Sequence, residues 1–205
     1  MKRLIATAIA LMCAILTSFA QLEVVEAPQT DAVYRIPLNK GAVVMAERLS
    51  PLACGMAQHL NLVDFCAWKF SAGKPTEVYA ARKGVVVETT RDKVRILHEE
   101  GIYTDYLGVT NVKVAQGEKV KAGTPIASAR VSNPNNPELC RWSVVMLTSH
   151  YRTNPQHGQI ALNGAYEYLR QFINPIFTTK SKCKTLLEEG GAYTVRTRTW
   201  CWPWK

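Results

Sequence analysis

The sequence predicts a mainly β protein, an antiparallel β-sandwich with one helix near the C-terminus. Three observations support this prediction: short apolar segments of strand length recur, turn residues separate them, and a single segment has a helical period. The chain of 205 residues is 47% hydrophobic and 20% charged, which is ordinary for a globular protein. No repeat of fixed period is visible, so we expect one domain with appendages.

The first twenty residues have the organisation of a cleavable signal peptide. Lys2 and Arg3 precede the apolar run LIATAIALMCAIL, and SFA places small residues before a cleavage point near Ala20. Met12 stands where a lipoprotein signal would have a small residue before Cys13. No later segment has the roughly 18 consecutive apolar residues of a membrane helix. We therefore expect a periplasmic or secreted protein without a transmembrane segment after signal cleavage.

The chain is basic, and its positive charge is spread along the sequence rather than gathered in one segment. The formal charge is +9, and removing Lys2 and Arg3 with the signal peptide lowers it by two, to +7. Such a charge suits an envelope that is rich in anionic polymer. Nucleic acid is not an expected partner, because an exported protein rarely meets it.

Residues 21–58 contain two extended pieces, AVYRIPLNKG and AVVMAERL, which we expect to pack as N-terminal strands on the core. Five further segments have the length and composition of strands: LNLVDFCAW, EVYAARKGVVVE, KVRILHEEG, IYTDYLGV and LCRWSVVML. The second of these is broken into two pieces at Gly84. The segment NGAYEYLRQFI, residues 163–173, is the helix candidate, because its apolar residues recur at helical spacing. Asn174 and Pro175 should end that helix.

The segment NVKVAQGEKVKAGTPIASA places Gly117 and Gly123 six residues apart among valines and lysines. Val114, Val120 and Ile126 recur at even spacing, so on extended backbone they face the same side. Glycine adopts positive φ without a side-chain clash, so the two glycines suit tight turns. The pattern predicts a tightly turned β-hairpin that packs on a sheet.

Four motifs in the middle of the chain, taken together, resemble the β-sheet core of the M23 metallopeptidases, the LytM or lysostaphin-like peptidoglycan endopeptidases. They are Asp-Phe at Asp64, V-x-A-x-x-x-G-x-V from Val78, V-x-I-x-H-x-x-G-x-x-T-x-Y from Val94, and the two-glycine segment from Val114. The resemblance covers roughly residues 60–147, and INP at Pro175 is similar to the family's ending. We assign residues 59–177 to an M23-like domain with an insertion near 148–165, and residues 178–205 to a basic, Trp-rich tail.

The resemblance implies a zinc site, but the family's site residues are largely missing. Family members bind zinc through a His, an Asp four residues later and the second His of His-Leu-His, with two more histidines assisting catalysis. This chain keeps the aspartate, whereas other residues occupy the remaining positions. The degenerate family-site positions are Leu60, Asp64, Gly108, Glu138 and Cys140. We therefore expect no catalytic residue, no bound metal and no other cofactor.

The resemblance also suggests functions for the remaining histidines and cysteines. His98 matches a family histidine that is not a zinc ligand, and we expect it to pack in the sheet. The five cysteines that follow Cys13 are an odd number, so at least one is unpaired within the monomer. The candidates for disulfides are Cys66 with Cys140, where the metal would otherwise join two strands, and Cys183 with Cys201. Two free thiols are the alternative for the first pair.

The function implied is that of a non-catalytic domain that binds cell-wall peptidoglycan or an envelope protein, or regulates a cell-wall hydrolase. An active zinc endopeptidase is the alternative, with rearranged ligands such as His59, Asp64, Cys140 and an inserted histidine, His150 or His157. A lipoyl or biotinyl carrier is disfavoured because no lysine follows the two glycines in ASARVSNPNN. The tryptophans of TWCWPWK either bind a sugar or partner or attach the tail to the sheet.

Overall fold

The computed structural model describes residues 29–50, 67–136, 141–151 and 170–196. In these ranges the chain forms fourteen strands, most of them in antiparallel ladders. The first seven strands are β1 (Gln29–Arg35), β2 (Val43–Leu49), β3 (Ala67–Ala72), β4 (Glu77–Tyr79), β5 (Gly84–Thr89), β6 (Lys93–Leu97) and β7 (Ile102–Leu107). The others are β8 (Val109–Thr110), β9 (Lys119–Val120), β10 (Pro125–Ser132), β11 (Arg141–Tyr151), β12 (Arg170–Phe172), β13 (Asn174–Thr178) and β14 (Ala192–Thr194). The predicted fold class is therefore confirmed.

Eight strands form the main path of a large sheet, in the order β14-β2-β3-β11-β7-β6-β5-β9. The long strand β11 pairs on one side with β7 and on the other with β3 and β12, while its N-terminal residues pair with β10. Strand β10 also pairs with β4 and β8. β1 and β13 form a separate parallel pair. The two-stranded parallel pair is the exception to an otherwise antiparallel fold.

The hydrophobic core lies on one face of the large sheet, beneath the β1–β13 pair. Trp68 and Phe70 of β3 and Tyr106 of β7 are fully buried on this face. Phe177 of β13 packs edge-on against Phe70, with ring centroids 5.5 Å apart, and is tilted against Tyr34 of β1 at 6.5 Å. The strands alternate core-facing and outward-facing residues, which is the period-two pattern that the sequence displayed.

The predicted helix at 163–173 is wrong at its C-terminal end, and residues 163–169 lie outside the described part of the chain. Arg170–Phe172 form strand β12, in which Phe172 pairs with Ser149 of β11. Phe172 is buried with Ala67 and Leu147 in a small second cluster. Burial against the neighbouring strand therefore outweighs the local helical pattern at these residues. No helix in the described ranges has the length and apolar character needed to cross a bilayer.

The two-glycine segment contains the predicted turns but not the predicted hairpin. Gly117 and Gly123 both have a φ of 88°, and Val120 and Ile126 are buried. However, β9 pairs with β5, and β10 pairs with β4, β8 and β11 rather than with β9. The segment thus joins two different parts of the fold. The hairpin interpretation was wrong because local spacing shows where a chain turns but not which strand it then joins.

The described part of the basic tail is integrated into the fold. β14 pairs with β2 at the edge of the large sheet, and Leu187 and Val195 are buried in the core. Phe177 and Thr185 exchange backbone hydrogen bonds of 2.8 and 2.9 Å. Residues up to 196 therefore contribute to the sheet and the core, and residues 197–205, which include the tail tryptophans, lie outside the described ranges.

We expect Gly84→Ala to destabilise the protein by about 3 kcal/mol. A Cβ at Gly84 would lie 2.4 Å from the carbonyl oxygen of Leu97 and 2.6 Å from Cγ2 of Ile96. Leu97 belongs to the ladder between β5 and β6, so its backbone cannot move without breaking strand pairing. Urea unfolding followed by circular dichroism measures the loss. Gly73→Ala is the control because a Cβ there has open space, and equal stability of the two variants would contradict this account.

Candidate functional site

Gly108 occupies the position at which the resemblance expects a catalytic histidine. It directly follows β7 and has a φ of 69°, in the left-handed region that a residue with a side chain rarely adopts. A Cβ at this position would meet no atom within 4 Å, so space is not what selects glycine here. The backbone conformation, rather than a lack of space, therefore favours glycine at this position.

Strands β3 and β11 run antiparallel over five paired positions, from Trp68 opposite Met146 to Ala72 opposite Trp142. On the side of the sheet away from the core, this register places Lys69 beside Val145. Asp64, matched to the family aspartate by sequence, lies outside the described residues, as do Leu60, Glu138 and Cys140.

We call this side of the sheet the polar face. Its charged and hydroxyl-bearing residues are Glu47, Lys69, Ser71, Ser143, Asp105 and Arg95. Apolar residues, among them Met45, Leu107 and Val145, lie on the same side. The Lys69 ammonium binds the Glu47 carboxylate of the neighbouring strand at 2.7 Å. Both side chains remain partly exposed, at 34% and 50% of their area. Ser71 and Ser143 lie opposite each other on β3 and β11.

The strongest charged contact of the polar face joins β6 to β7. Arg95 donates through Nε to Asp105 Oδ1 at 2.6 Å and through Nη2 to Oδ2 at 2.8 Å. The Asp105 side chain is 3% exposed, so this two-point contact compensates a nearly buried carboxylate. Glu88 of β5 binds Arg95 at 3.3 Å and also binds Lys93. The carboxylates of this cluster are therefore engaged by cations.

His98 is a buried structural residue, as the sequence predicted. Its Nδ1 donates to the carbonyl oxygen of Lys83 at 2.7 Å, and its Nε2 accepts from the Thr104 hydroxyl at 2.8 Å. These partners fix the neutral tautomer with hydrogen on Nδ1. Burial, the largest cause, lowers the pKa of His98 from 6.5 to about 4. The ring packs edge-on against Tyr34 with centroids 5.8 Å apart.

Cys183 is disulfide-bonded, and Arg196 Nη1 lies 3.2 Å from its sulfur. It is the one cysteine within residues 29–50, 67–136, 141–151 and 170–196, so its partner lies outside them. The pairing of Cys183 with Cys201 stays a prediction.

The pairing of Cys66 with Cys140 also stays a prediction, since both residues lie outside the described ranges. Their chain neighbours Ala67 and Arg141 are described, and they adjoin opposite ends of the β3–β11 ladder. Five residues of extended strand separate those ends by about 17 Å. Because disulfide-bonded residues have Cα atoms roughly 5.5 Å apart, this register does not favour the pairing.

Potential metal ligands are scattered in the described ranges, where no group of three His, Cys, Asp or Glu side chains is placed to hold an ion. His150, a candidate inserted ligand, lies within β11 and pairs with Ile102 of β7. His59 and His157 fall outside the described residues. Sequence reasoning did not find the polar face, although the alternation of Lys69 and Ser71 with Trp68 and Phe70 in AWKFSA was available as a signal.

The sequence pattern of peptidase family M23 matches residues 66–146. These residues form a peptidase family M23 domain. The sequence-based assignment to this family is confirmed, and the match includes β3 to β10 and the first half of β11. A search of the curated proteins found no match.

Several solved structures are similar to this chain. The M23 metalloprotease pseudoalterin from the deep sea has 15% sequence identity and a TM-score of 0.47, with 82% of this chain and 98% of that chain covered. The SpoIIQ–SpoIIIAH pore-forming complex has 17% identity and a TM-score of 0.39, covering 57% and 84%. Csd3 of Helicobacter pylori has 15% identity and a TM-score of 0.38, covering 65% and 36%.

We expect stability to fall as the pH drops from 6.5 to 4, because His98 is harder to protonate in the folded state than in the unfolded state. Between pH 7 and 4.5 this one group should lower the free energy of unfolding by about 2 kcal/mol. The Glu100 carboxylate, 50% exposed, does not titrate in this window, since hydrogen bonding to Arg82 lowers its pKa to about 2. Urea unfolding at both pH values should show a smaller fall for His98→Gln. Equal falls in wild type and variant would contradict the assignment.

Gly108→Ala should lower the free energy of unfolding by about 1 kcal/mol, because a residue with a Cβ is strained at a φ of 69°. Gly108→His, which reinstates the family residue, should carry a similar loss and bind no additional zinc. Gly73→Ala is again the matched control, as it has equal space without positive φ. Chemical unfolding measures all three variants. Stability of Gly108→His equal to wild type would show that the backbone accepts a histidine there.

Proposed function

We propose that the protein is an exported, non-catalytic M23 domain that binds peptidoglycan through its polar face. The observation that supports this most strongly is what occupies the face in the described residues. Lys69 and Arg95 are cations, Ser71 and Ser143 are hydroxyls, and Asp105 is bound by Arg95. These groups form hydrogen bonds and ion pairs. A catalytic zinc instead needs three protein ligands, each a neutral imidazole, a thiolate or a carboxylate.

The chemistry of the polar face suits a polymer that carries hydroxyl, amide and carboxylate groups. The Lys69–Glu47 contact is partly exposed, and such surface ion pairs are worth only about 0.2–1 kcal/mol. Lys69 can therefore leave Glu47 and bind an anionic group of the polymer with little loss of free energy. The Arg95–Asp105 ion pair, whose carboxylate is nearly buried, is stronger and holds β6 and β7 together on this face. The overall basic charge supports association with the anionic wall.

Lys69→Glu should weaken co-sedimentation of the protein with purified peptidoglycan sacculi by several-fold, because it places a carboxylate against an anionic polymer. Lys83→Glu is a matched control, since Lys83 also binds one glutamate, Glu99, at 2.7 Å, but lies outside the polar face. The two variants have the same net charge. Equal losses would show that binding depends on overall charge, and no binding by wild type would refute the proposal.

The non-catalytic part of the proposal is tested separately by metal content and hydrolysis. After incubation with zinc and dialysis, elemental analysis should find well under one zinc per chain, and muropeptides should remain uncleaved. Peptide release by wild type that is lost in Asp64→Ala would instead establish the alternative, an active zinc endopeptidase. Leu60→Ala is the control for that experiment, as the residue adds no ligand.

A further inference from the structure

A cleft of about 550 Å³ opens where two turns meet at the ends of β2 and β3. One turn precedes β2, with the backbone N–H of Ala42 donating to the Asn39 carbonyl at 3.1 Å. The other turn, residues 73–76, joins β3 to β4. Each turn contributes a lysine to the cleft, Lys40 from the first and Lys74 from the second. The volume is within the range of ligand-binding sites.

The two turns are fixed to each other by direct hydrogen bonds. The backbone N–H of Asn39 donates to the Thr76 hydroxyl at 3.2 Å. In return, the backbone N–H of Glu77 donates to Asn39 Oδ1 at 3.2 Å. The cleft is therefore formed before any ligand arrives, so binding does not require the turns to be ordered first.

The cleft carries positive charge that other described residues do not neutralise. Lys40 and Lys74 are exposed, and neither ammonium makes an ion pair within the described part of the chain. Other lysines do pair with a glutamate, and these are Lys69, Lys83, Lys93 and Lys113. None of the described residues that line the 550 Å³ cleft is acidic. Its charge is thus complementary to an anionic ligand.

The wall of the cleft is aliphatic, and the cleft continues toward an aromatic ring. Val43 is 63% exposed on the wall, next to Ala72 and Pro75. A second cavity of about 200 Å³ shares Asn39, Pro75 and Thr76 with the first and reaches Trp142. Its one described acidic residue, Glu77, is paired with Lys113. The combined shape suits a ligand that is longer than a single anion.

We propose that this cleft binds a short acidic peptide segment with small aliphatic side chains. Its carboxylates lie between Lys40 and Lys74, its aliphatic groups cover Val43 and Pro75, and the chain extends toward Trp142. A peptide fits better than an acidic saccharide, because the hydroxyls of a sugar would face an aliphatic wall that offers them no hydrogen bond. Val43 lies on the same side of β2 as Glu47, so the cleft borders the polar face. The cleft shares none of the residues named for that face, and the test with a peptide probe is independent of peptidoglycan binding.

The probe is a fluorescein-labelled peptide, Ala-Val-Glu-Glu-Ala-Val, titrated with the full-length chain and followed by fluorescence anisotropy. Lys40→Gln with Lys74→Gln should weaken binding about ten-fold, the effect of losing two ion pairs near a protein surface. A second peptide, with glutamine in place of both glutamates, should bind the wild-type protein about ten-fold more weakly than the acidic peptide does. This loss should equal the loss seen when the acidic peptide binds the double variant. Val43→Ser should also weaken binding without altering the thermal unfolding midpoint.

The control is Lys119→Gln with Lys121→Gln, which removes the same charge at β9, on the opposite edge of the sheet from β2. This control should bind the acidic peptide like wild type. Equal weakening by both double variants would overturn the proposal, since charge alone would then explain binding. Binding of an oligogalacturonate probe as tightly as the peptide would overturn the peptide assignment. No saturable binding of the acidic peptide would overturn the site.

Discussion

The register of β11 between β3 and β7 is the constraint on which the core and the polar face both depend. It aligns Val145 with Lys69 on one side and with Leu107 on the other. Since strand side chains alternate between faces, a slip of one residue would bury Lys69 and expose Phe70. The cost of burying an unpaired ammonium and exposing an aromatic ring fixes the register. The charged face is therefore a consequence of the same pairing that forms the core.

Buried polar groups join the sheet to the loop between β4 and β5. The Tyr106 hydroxyl accepts the backbone N–H of Ala81 at 2.7 Å, and burial raises the pKa of Tyr106. One strand away, His98 binds the carbonyl oxygen of Lys83 in the same loop. Since leaving either group unpaired would cost the desolvation of a buried polar atom, the loop is held over the sheet at two points. Gly84 follows this loop immediately and lets the chain pass close to Leu97.

The sequence predicted what depends on local pattern and missed what depends on the pairing partner. Short apolar segments identified β6 and β7, and the turns at Gly117 and Gly123 were correctly predicted. The helix prediction failed at Phe172 because its burial depends on β11, which is distant in sequence. The cleft was not foreseen for the same reason. Lys40 and Lys74 meet only because Asn39 and Thr76 bind each other across 37 residues of chain.

Side-chain ion pairs can connect neighbouring strands on one face of a sheet without a metal ion. Here charge pairs connect successive strands of the polar face, β2 to β3 through Glu47–Lys69 and β6 to β7 through Arg95–Asp105. The exposed pair contributes little to stability, so the ladders and the core must carry most of it. The pairs instead determine what the face presents to solvent. In the proposed function, the partly exposed Lys69 and the serine hydroxyls contact the polymer, whereas a zinc site would need ligands at such positions.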